Sequence, residues 1–421
     1  MSTMRHSRDP RFPSRRHILG GMAASLSFWG LAPGRALAAG RDPRLLVMVL
    51  RGGLDGLSMV APVGDPDYAR LRGPLALPME GPSAGLRLDS LFTLNRRMAF
   101  LGELYSRREA LAVQAVATPY RSRSHFDGQD VLESGLPEVG RVMDGWLNRA
   151  LADLPAATSA PRKGLAMGAV VPLVMRGPAP VLSWIPDTST RPLRASTTAR
   201  LADLYAATDP RLAKAFAEGL AIERVGRAPP GGSGLGIGKA SGGVGQPPPR
   251  PFADLVATAE AAARFLSAAD GPRIGALSFD GWDTHADEGA VEGQLGNRLA
   301  GLDLALRTLH DGLGEAWKET VVAIVTEFGR TARPNGTNGT DHGTATVAWL
   351  AGGAVKGGRV VADWPGLGDA ALHEGRDLRP TTDLRAVLKG VLQDHVGVPA
   401  ARLSGDVFPG SSAVRALAGL I

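Results

Sequence analysis

Residues Thr320 to Gly343 read TVVAIVTEFGRTARPNGTNGTDHG, and the fold is decided here. Val321 to Val325 is an unbroken apolar run of strand length, as expected of a strand buried on both faces. It stops at Thr326-Glu327. An acidic residue at the end of such a strand marks the carboxyl edge of a sheet, where open α/β folds bind ligands. Asn335-Gly336 and Asn338-Gly339 predict turns. They deliver Asp341-His342-Gly343 in front of a second apolar run, Thr346 to Leu350. Glu, Asp and His on one strand-loop-strand unit are the ligand types of a hard or borderline cation.

The same pattern recurs outward from this unit. Arg44 to Leu50 predicts a strand that runs into Arg51-Gly52-Gly53-Leu54-Asp55. The ordinary role of Asp55 there is to stabilise the turn. Arg96 to Arg108 predicts a helix and Leu111 to Ala117 a strand. That strand leads into Thr118-Pro119-Tyr120-Arg121-Ser122-Arg123-Ser124-His125-Phe126-Asp127, where a helix begins. A serine at this point is commonly an N-cap, and the free N–H groups of the helix also favour an anionic group placed on it. Further helices are expected over 139–154, over 197–223 with a break near Asp209-Pro210, and over 251–268, with two short strands within 164–185.

Arg273 to Phe279 predicts a strand that ends in Asp280-Gly281-Trp282-Asp283-Thr284-His285. Residues i and i+2 of extended chain face the same way, so Asp283 and His285 can share one metal ion. Ala290 to Trp317 reads as one long amphipathic helix with Leu295, Leu299, Leu302, Leu306, Leu309 and Leu313 at helical spacing. A late helix is expected over 381–396. His373 and His395 lack partners at ligand spacing and read as surface residues. The strand-helix alternation predicts an α/β fold, a mainly parallel sheet sandwiched between helices. Such a sheet gathers Asp55, Ser124, Asp283, His285, Glu327 and His342 on one edge.

The formal charge of +6 is produced by the first forty residues, which hold six arginines against Asp9; the remainder has 41 basic and 40 acidic residues. The mature chain is near neutral, and no basic stripe with interleaved aromatics argues for nucleic acid. Ser14-Arg15-Arg16-His17-Ile18-Leu19, a weakly apolar segment to Ala32 and Ala36-Leu37-Ala38 read as a twin-arginine signal peptide over residues 1–38. The apolar segment is shorter than the roughly 20 residues of a membrane span, so no stable span is expected after cleavage. Residues 39–421 read as one domain with a flexible Gly/Pro-rich insertion at 226–251. The chain has no cysteine, which removes disulfides, thiolate nucleophiles and Cys-ligated metals together.

GGLDGLS, RSHFDGQD, GWDTH, TEFGRT and TDHG occur in this order behind the export signal. Together they resemble the uncharacterised family known as domain of unknown function 1501, over roughly Leu45 to Val398. That family is in turn similar to the alkaline phosphatase, sulfatase and phosphoglycerate mutase superfamily. The resemblance implies an alkaline-phosphatase-like fold and a set of roles. Asp55 matches an early metal aspartate, and Ser124 the nucleophile, with Ser122 in reserve. Asp283 and His285 match an Asp/His metal pair, spaced more closely than is usual there. Glu327 stands where the superfamily has Asp followed by His, with Phe328 in place of that His, and His342 matches a late metal histidine.

The expectation is therefore an exported, periplasmic or secreted, metal-dependent hydrolase of phosphate or sulfate esters. One or two divalent ions, Zn or Mn by ligand chemistry, would be held by Asp283, His285 and His342, with Asp55 and Glu327 at a weaker or absent second site. Arg123 and Arg330, or Arg51 and Arg121, would hold the anion of a small ester. The alternative is a non-catalytic periplasmic binding or assembly protein that keeps the fold. A partnership with the twin-arginine export machinery is tested by Arg15→Lys with Arg16→Lys. This double variant is expected to stay in the cytoplasm, and undiminished periplasmic accumulation would refute the signal.

Overall fold

The run that opens the sequence analysis is the middle of the sheet. In the computed structural model, which describes residues 41–140, 142–152, 154, 164–168, 170–185, 195–227 and 250–421, the strands of the main sheet are β1 (Arg44–Leu50), β2 (Ala110–Ala117), β3 (Gly164–Met167), β4 (Val181–Trp184), β5 (Ile274–Phe279), β6 (Thr320–Val325), β7 (Thr346–Ala351), β8 (Arg359–Val361) and β9 (Thr382–Asp383), and Val60–Ala61, Leu86–Arg87 and Thr93–Leu94 form a small second sheet. The main sheet has the order β8-β2-β7-β6-β1-β5-β3-β4, with β9 beside β2. Every pairing in it is parallel except those of β7, which runs against both β2 and β6. The signal peptide over 1–38 and residues 228–249 of the Gly/Pro-rich insertion lie outside the described residues.

Alternation along the strands explains why their sequences are apolar throughout. Leu46, Met48, Leu50, Val322 and Ile324 face one core, and Leu45, Val47, Val49, Val321, Ala323 and Val325 face another. The helices that cover the sheet are α1 (Ala99–Ser106), α2 (His125–Ser134), α3 (Trp146–Ala152), α4 (Ala195–Thr208), α5 (Pro210–Arg227), α6 (Arg250–Ser267), α7 (Gln294–Leu313) and α8 (Leu384–Val391). The first core is closed by α1, α6 and α7, and the second by α3 and α8. The leucine stripe of α7 is fully buried, each side chain stabilising by about 1.5–3 kcal/mol relative to exposure.

Several helices are shorter than their sequence pattern: α1 and α3 fill only part of the 96–108 and 139–154 stretches, and two others end for visible reasons. The Ala290–Trp317 pattern yields α7 followed by a 3₁₀ segment, Gly314–Glu319, because Gly293 and Gly314 both take positive φ and end the regular helix. The late helix starts at Leu384, where Asp383 accepts from the backbone N–H of Arg385, and passes into a π turn over Leu392–Val396.

That π turn carries a correction. His395 is not on the surface but completely buried. Its Nε2–H donates to the carbonyl of Arg44 at 2.9 Å and its Nδ1 accepts from Arg41 Nη2 at 3.4 Å. Both ring nitrogens are satisfied in the neutral form, and burial pushes the pKa down to about 4. Between the usual 6.5 and this value the unfolded chain binds a proton that the folded chain does not. Stability contributed above pH 6.5 is therefore lost as pH falls toward 4, by up to about 3 kcal/mol at 1.36 kcal/mol per unit. His395→Gln is expected to lose that component, seen as a flatter change in urea midpoint between pH 7 and pH 4; equal slopes in variant and wild type would refute it.

Candidate metal centre

Strands β2, β6, β1 and β5 all point the same way, because β7 reverses between β2 and β6. Their carboxyl ends therefore share one edge, and β7 begins at that edge. The segment between β6 and β7 is no loose loop. Backbone bonds link Gly329 N–H to Thr344, Thr331 N–H to Asp341 and Gly343 N–H to Gly329. Asn335, expected only as a turn former, donates to the carbonyl of His285 at 2.9 Å and to Asp341 Oδ1 at 3.0 Å. Gly52, just past β1, packs where a Cβ would come within 2.5 Å of the backbone nitrogen of Asp283. These close approaches bring the loops after β1, β5 and β6 together.

Four side chains converge at this point. His342 Nε2 lies 2.9 Å from His125 Nε2, 3.0 Å from His285 Nε2 and 3.2 Å from Asp283 Oδ1. His285 Nε2 is 2.9 Å from Asp283 Oδ1, and His125 Nε2 is 3.3 Å from Asp283 Oδ2. One donor atom from each of His125, Asp283 and His342 lies within 4.8 Å of the others. Thus Asp283, His285 and His342 are brought together, and His125 joins them. His125 is the first residue of α2, and sequence reasoning passed over it for its neighbour Ser124. The missed signal was a histidine placed directly where a strand-end loop becomes a helix.

The opposite nitrogen of each imidazole fixes its tautomer. His342 Nδ1 donates to the carbonyl of Arg123 at 2.9 Å, His125 Nδ1 to Glu327 Oε1 at 2.9 Å and His285 Nδ1 to Asp341 Oδ1 at 3.1 Å. A carbonyl can only accept, and both carboxylates are held below their ordinary pKa. For Glu327, burial acts upward but is outweighed by hydrogen bonds from His125, Gln129 and the Gly52 N–H; for Asp341 the main cause is Asn335. In the neutral rings each Nε2 therefore presents a bare lone pair to the others, which repel at these distances unless a proton or a cation lies between them. A tetrahedral ion with bonds of about 2.0–2.1 Å has ligand–ligand edges of about 3.3–3.4 Å, and His342 stands within about half an ångström of that from each of its three neighbours, though His285 lies outside the group whose donor atoms are all within 4.8 Å of one another. Three imidazoles with a carboxylate, each histidine anchored by an outer acceptor, are a donor set and supporting shell that could hold a metal ion. The glutamate bond raises the pKa of His125, while burial lowers that of His342. Burial acts upward on Asp283 also, but the hydrogen bond and charge of Arg330 hold it low.

The remaining expected residues stand around the cluster. Glu327 is fully buried and holds His125 from behind, accepting also from Gly52 N–H, Thr326 Oγ1 and Gln129 Nε2. Asp55 is not brought to the cluster. It caps a short turn through Leu57 and Ser58 and forms a buried ion pair with Arg72. Arg330 is buried and donates to Asp283 Oδ1 at 2.5 Å, and Arg123 is bound to Asp377 and Glu374, so both guanidiniums are already engaged. Ser124 is half-buried at the N-cap of α2, and its side chain makes no capping bond. Beside the cluster is a cavity of about 480 Å³ whose walls include Arg51, Phe126, Gln129, Arg176 and Asp280. Gln129 both lines it and bonds Glu327. Among the described residues no helix is long and apolar enough to cross a membrane.

A family model described as "Protein of unknown function (DUF1501)" matches residues 108–405. No curated protein matches the chain. Among solved structures, the phosphonate monoester hydrolase of Agrobacterium radiobacter aligns at 10% identity and TM-score 0.36, over 85% of this chain and 74% of that one. The C-terminal periplasmic domain of EcEptC from Escherichia coli, in complex with Zn, aligns at 8% and 0.31, over 75% and 74%. A 2-O GAG sulfatase aligns at 12% and 0.34, over 90% and 75%. Likeness at this level transfers no residue role to the present chain. The outer acceptor of His125 is testable on its own terms. Glu327→Ala is expected to weaken divalent metal binding by about 10–100-fold, measured by chelator competition, and unchanged affinity would exclude that role.

Proposed function

Because the chain belongs to the DUF1501 family, whose function is unknown, we propose its activity from the site itself: a metal-dependent hydrolase of phosphate or sulfate esters. The observation that carries this reading is the convergence of three lone-pair imidazole nitrogens and one carboxylate at the carboxyl edge of the sheet. His125, Asp283, His285 and His342 would hold one divalent ion, with Zn or Mn suiting the donors. Such an ion supplies Lewis acidity toward an ester oxygen and a nucleophilic hydroxyl. Glu327 and Asp341 keep His125 and His285 in the Nδ1–H tautomer, and Arg330 keeps Asp283 ionised. Ser124, free of a capping bond, would be the nucleophile: its hydroxyl proton would pass to the departing alcohol as the covalent ester forms, and water would then cleave that ester, releasing the acid and restoring the serine. Arg176, which lines the adjoining cavity and is not ion-paired there among the described residues, would hold the anion in place of Arg123 and Arg330, whereas Arg51 lines the same cavity but is paired with Glu133. Export through the twin-arginine route to the periplasm completes the reading.

A second reading has its own support. Structural metal sites are closed by four protein ligands, whereas catalytic sites keep a position open, and four donors converge here. A non-catalytic binding or assembly protein with a structural ion fits that count. Exposure favours the enzyme: the side chain of His285 is 46% exposed and that of Asp283 37%, which leaves solvent and substrate a way in.

The two readings separate in one experiment. Metal content is measured on purified protein, together with turnover of nitrophenyl phosphate, phosphonate and sulfate. The enzyme is expected to hold one ion and turn over at least one ester. Ser124→Ala is expected to keep the metal and lose about 10²-fold or more in kcat. Full occupancy without turnover of any ester supports the structural role, and activity undiminished in Ser124→Ala removes the serine from the mechanism.

A further inference from the structure

We infer that Glu288 is a neutral carboxylic acid and a positioning residue, which through Thr340 and Arg330 fixes Asp283 in the metal-binding cluster. Its last link rests on the metal-centre reading above; the neutral state of Glu288 stands without it.

Glu288 lies in the turn between β5 and α7 and is fully buried. Its Oε2 accepts from Thr340 Oγ1 at 2.6 Å. Its Oε1 is buried with no donor to satisfy it, and the carboxyl group lies beside that of Asp55, within reach of a hydrogen bond once one of the two carries a proton. Two carboxylates cannot bond one another without a proton between them. Two of the three arginines nearby are paired with other carboxylates. Arg72 is paired with Asp55 and also donates to Ser58 Oγ at 2.7 Å and to the carbonyls of Thr331 and Ala332. Arg330 is paired with Asp283. Arg298 is half-buried and bonds Gln294 at 3.4 Å. Tyr68, which also faces Arg72, is pushed up to about 12 by burial and carries no charge.

Among the described residues, Glu288 has no cation hydrogen-bonded to it: Arg72 and Arg330 are engaged by Asp55 and Asp283, and Arg298 acts on it through charge alone. Burial and the charge of Asp55 push the Glu288 acid well above its ordinary range. Asp55 stays ionised because Arg72 and its hydrogen bonds outweigh the upward push of burial. A neutral acid resolves every bond at once: it donates to Asp55 and accepts from Thr340. The Thr340 hydroxyl, donating to Glu288, is left to accept from Arg330 Nε at 3.1 Å. Arg330 also donates to the Thr340 carbonyl, and its Nη1 reaches Asp283 Oδ1. The donors therefore run in one direction, from Arg330 to Thr340 to Glu288 to Asp55. Removing the acid frees the hydroxyl to turn away from Arg330, and the guanidinium that orients Asp283 loses a fixed partner.

The test uses Glu288→Gln and Thr340→Val in the full protein. Infrared spectra are taken at pH 8, above the buried Asp303, whose acid is pushed up to about 6. The wild type is expected to show a carboxylic-acid C=O band that is missing from Glu288→Gln; identical spectra in that region overturn the neutral acid. Glutamine donates to Asp55 and accepts from Thr340 as the neutral acid does, so Glu288→Gln is expected to bind Zn like the wild type and to keep the wild-type visible spectrum with Co(II). Thr340→Val breaks the relay and is expected to weaken Zn binding by about 10–100-fold and to alter that spectrum. Wild-type affinity in Thr340→Val, or an equal loss in Glu288→Gln, overturns the positioning role. A wild type that takes up no cation overturns the metal-centre reading and the positioning role together, while the infrared band still decides the protonation state.

Discussion

The reversal of β7 is the constraint on which the site depends. Had the chain left β6 through a crossover helix, as parallel neighbours require, His342 would have been carried to the far edge of the sheet. Instead the segment folds back on itself through paired backbone bonds and re-enters the sheet beside the strand it left. Glu327 leaves the edge and His342 returns to it. The rest of the donor set then needs only neighbours: β1 and β5 on one side, and β2 with α2 beyond β7.

Bringing these ends so close has an electrostatic cost, and the buried charges show how it is met. Glu327, Asp55 and Arg330 are all at most 2% exposed. An isolated buried carboxylate costs several kcal/mol even after relaxation. Each is offset locally: Glu327 by one imidazole and three further donors, Asp55 by Arg72 and two backbone N–H groups, and Arg330 by Asp283 and carbonyls. Losing one partner leaves the other buried and unpaired, so the edge is held by mutual necessity more than by the gain from any single pair.

How much of this was legible follows from the range of each signal. Apolar runs and their spacing are local, and they sufficed for the parallel sheet, the leucine face of α7 and the helix pair broken at Asp209-Pro210. Asp283 and His285 were legible because extended chain fixes their relative direction. His342 followed from the strand-loop-strand pattern. His125 was not legible from its own surroundings, since a histidine at the start of a helix has many bland uses and its partners lie some two hundred positions away. Asp55 presents the opposite case. Its place after β1 read as that of a turn-stabilising aspartate, and the family resemblance made it a ligand; it caps the turn, and Arg72, from a segment of irregular sequence, claims its carboxylate. His395 looked exposed because no acidic or histidine partner stands at ligand spacing from it, yet a neutral imidazole needs only a carbonyl and a donor, both supplied by Arg44 and Arg41.

Rigidity and openness are divided across the cluster in a way that bears on chemistry. His125 and His342 are the more enclosed pair, at 23% and 27% side-chain exposure, and are anchored to a buried carboxylate and a backbone carbonyl. His285 is the most open, at 46%, and its anchor Asp341 is itself half-exposed. Asn335 bonds Asp341 and the His285 backbone together, so the open side is positioned by a surface turn, while the closed side is positioned by the core. Ligand exchange at a metal is fastest where a ligand can tilt without dragging the core with it. Were the cluster to hold the proposed ion, His285 would be the ligand best placed to yield a position to an incoming oxygen, since its side is the most open.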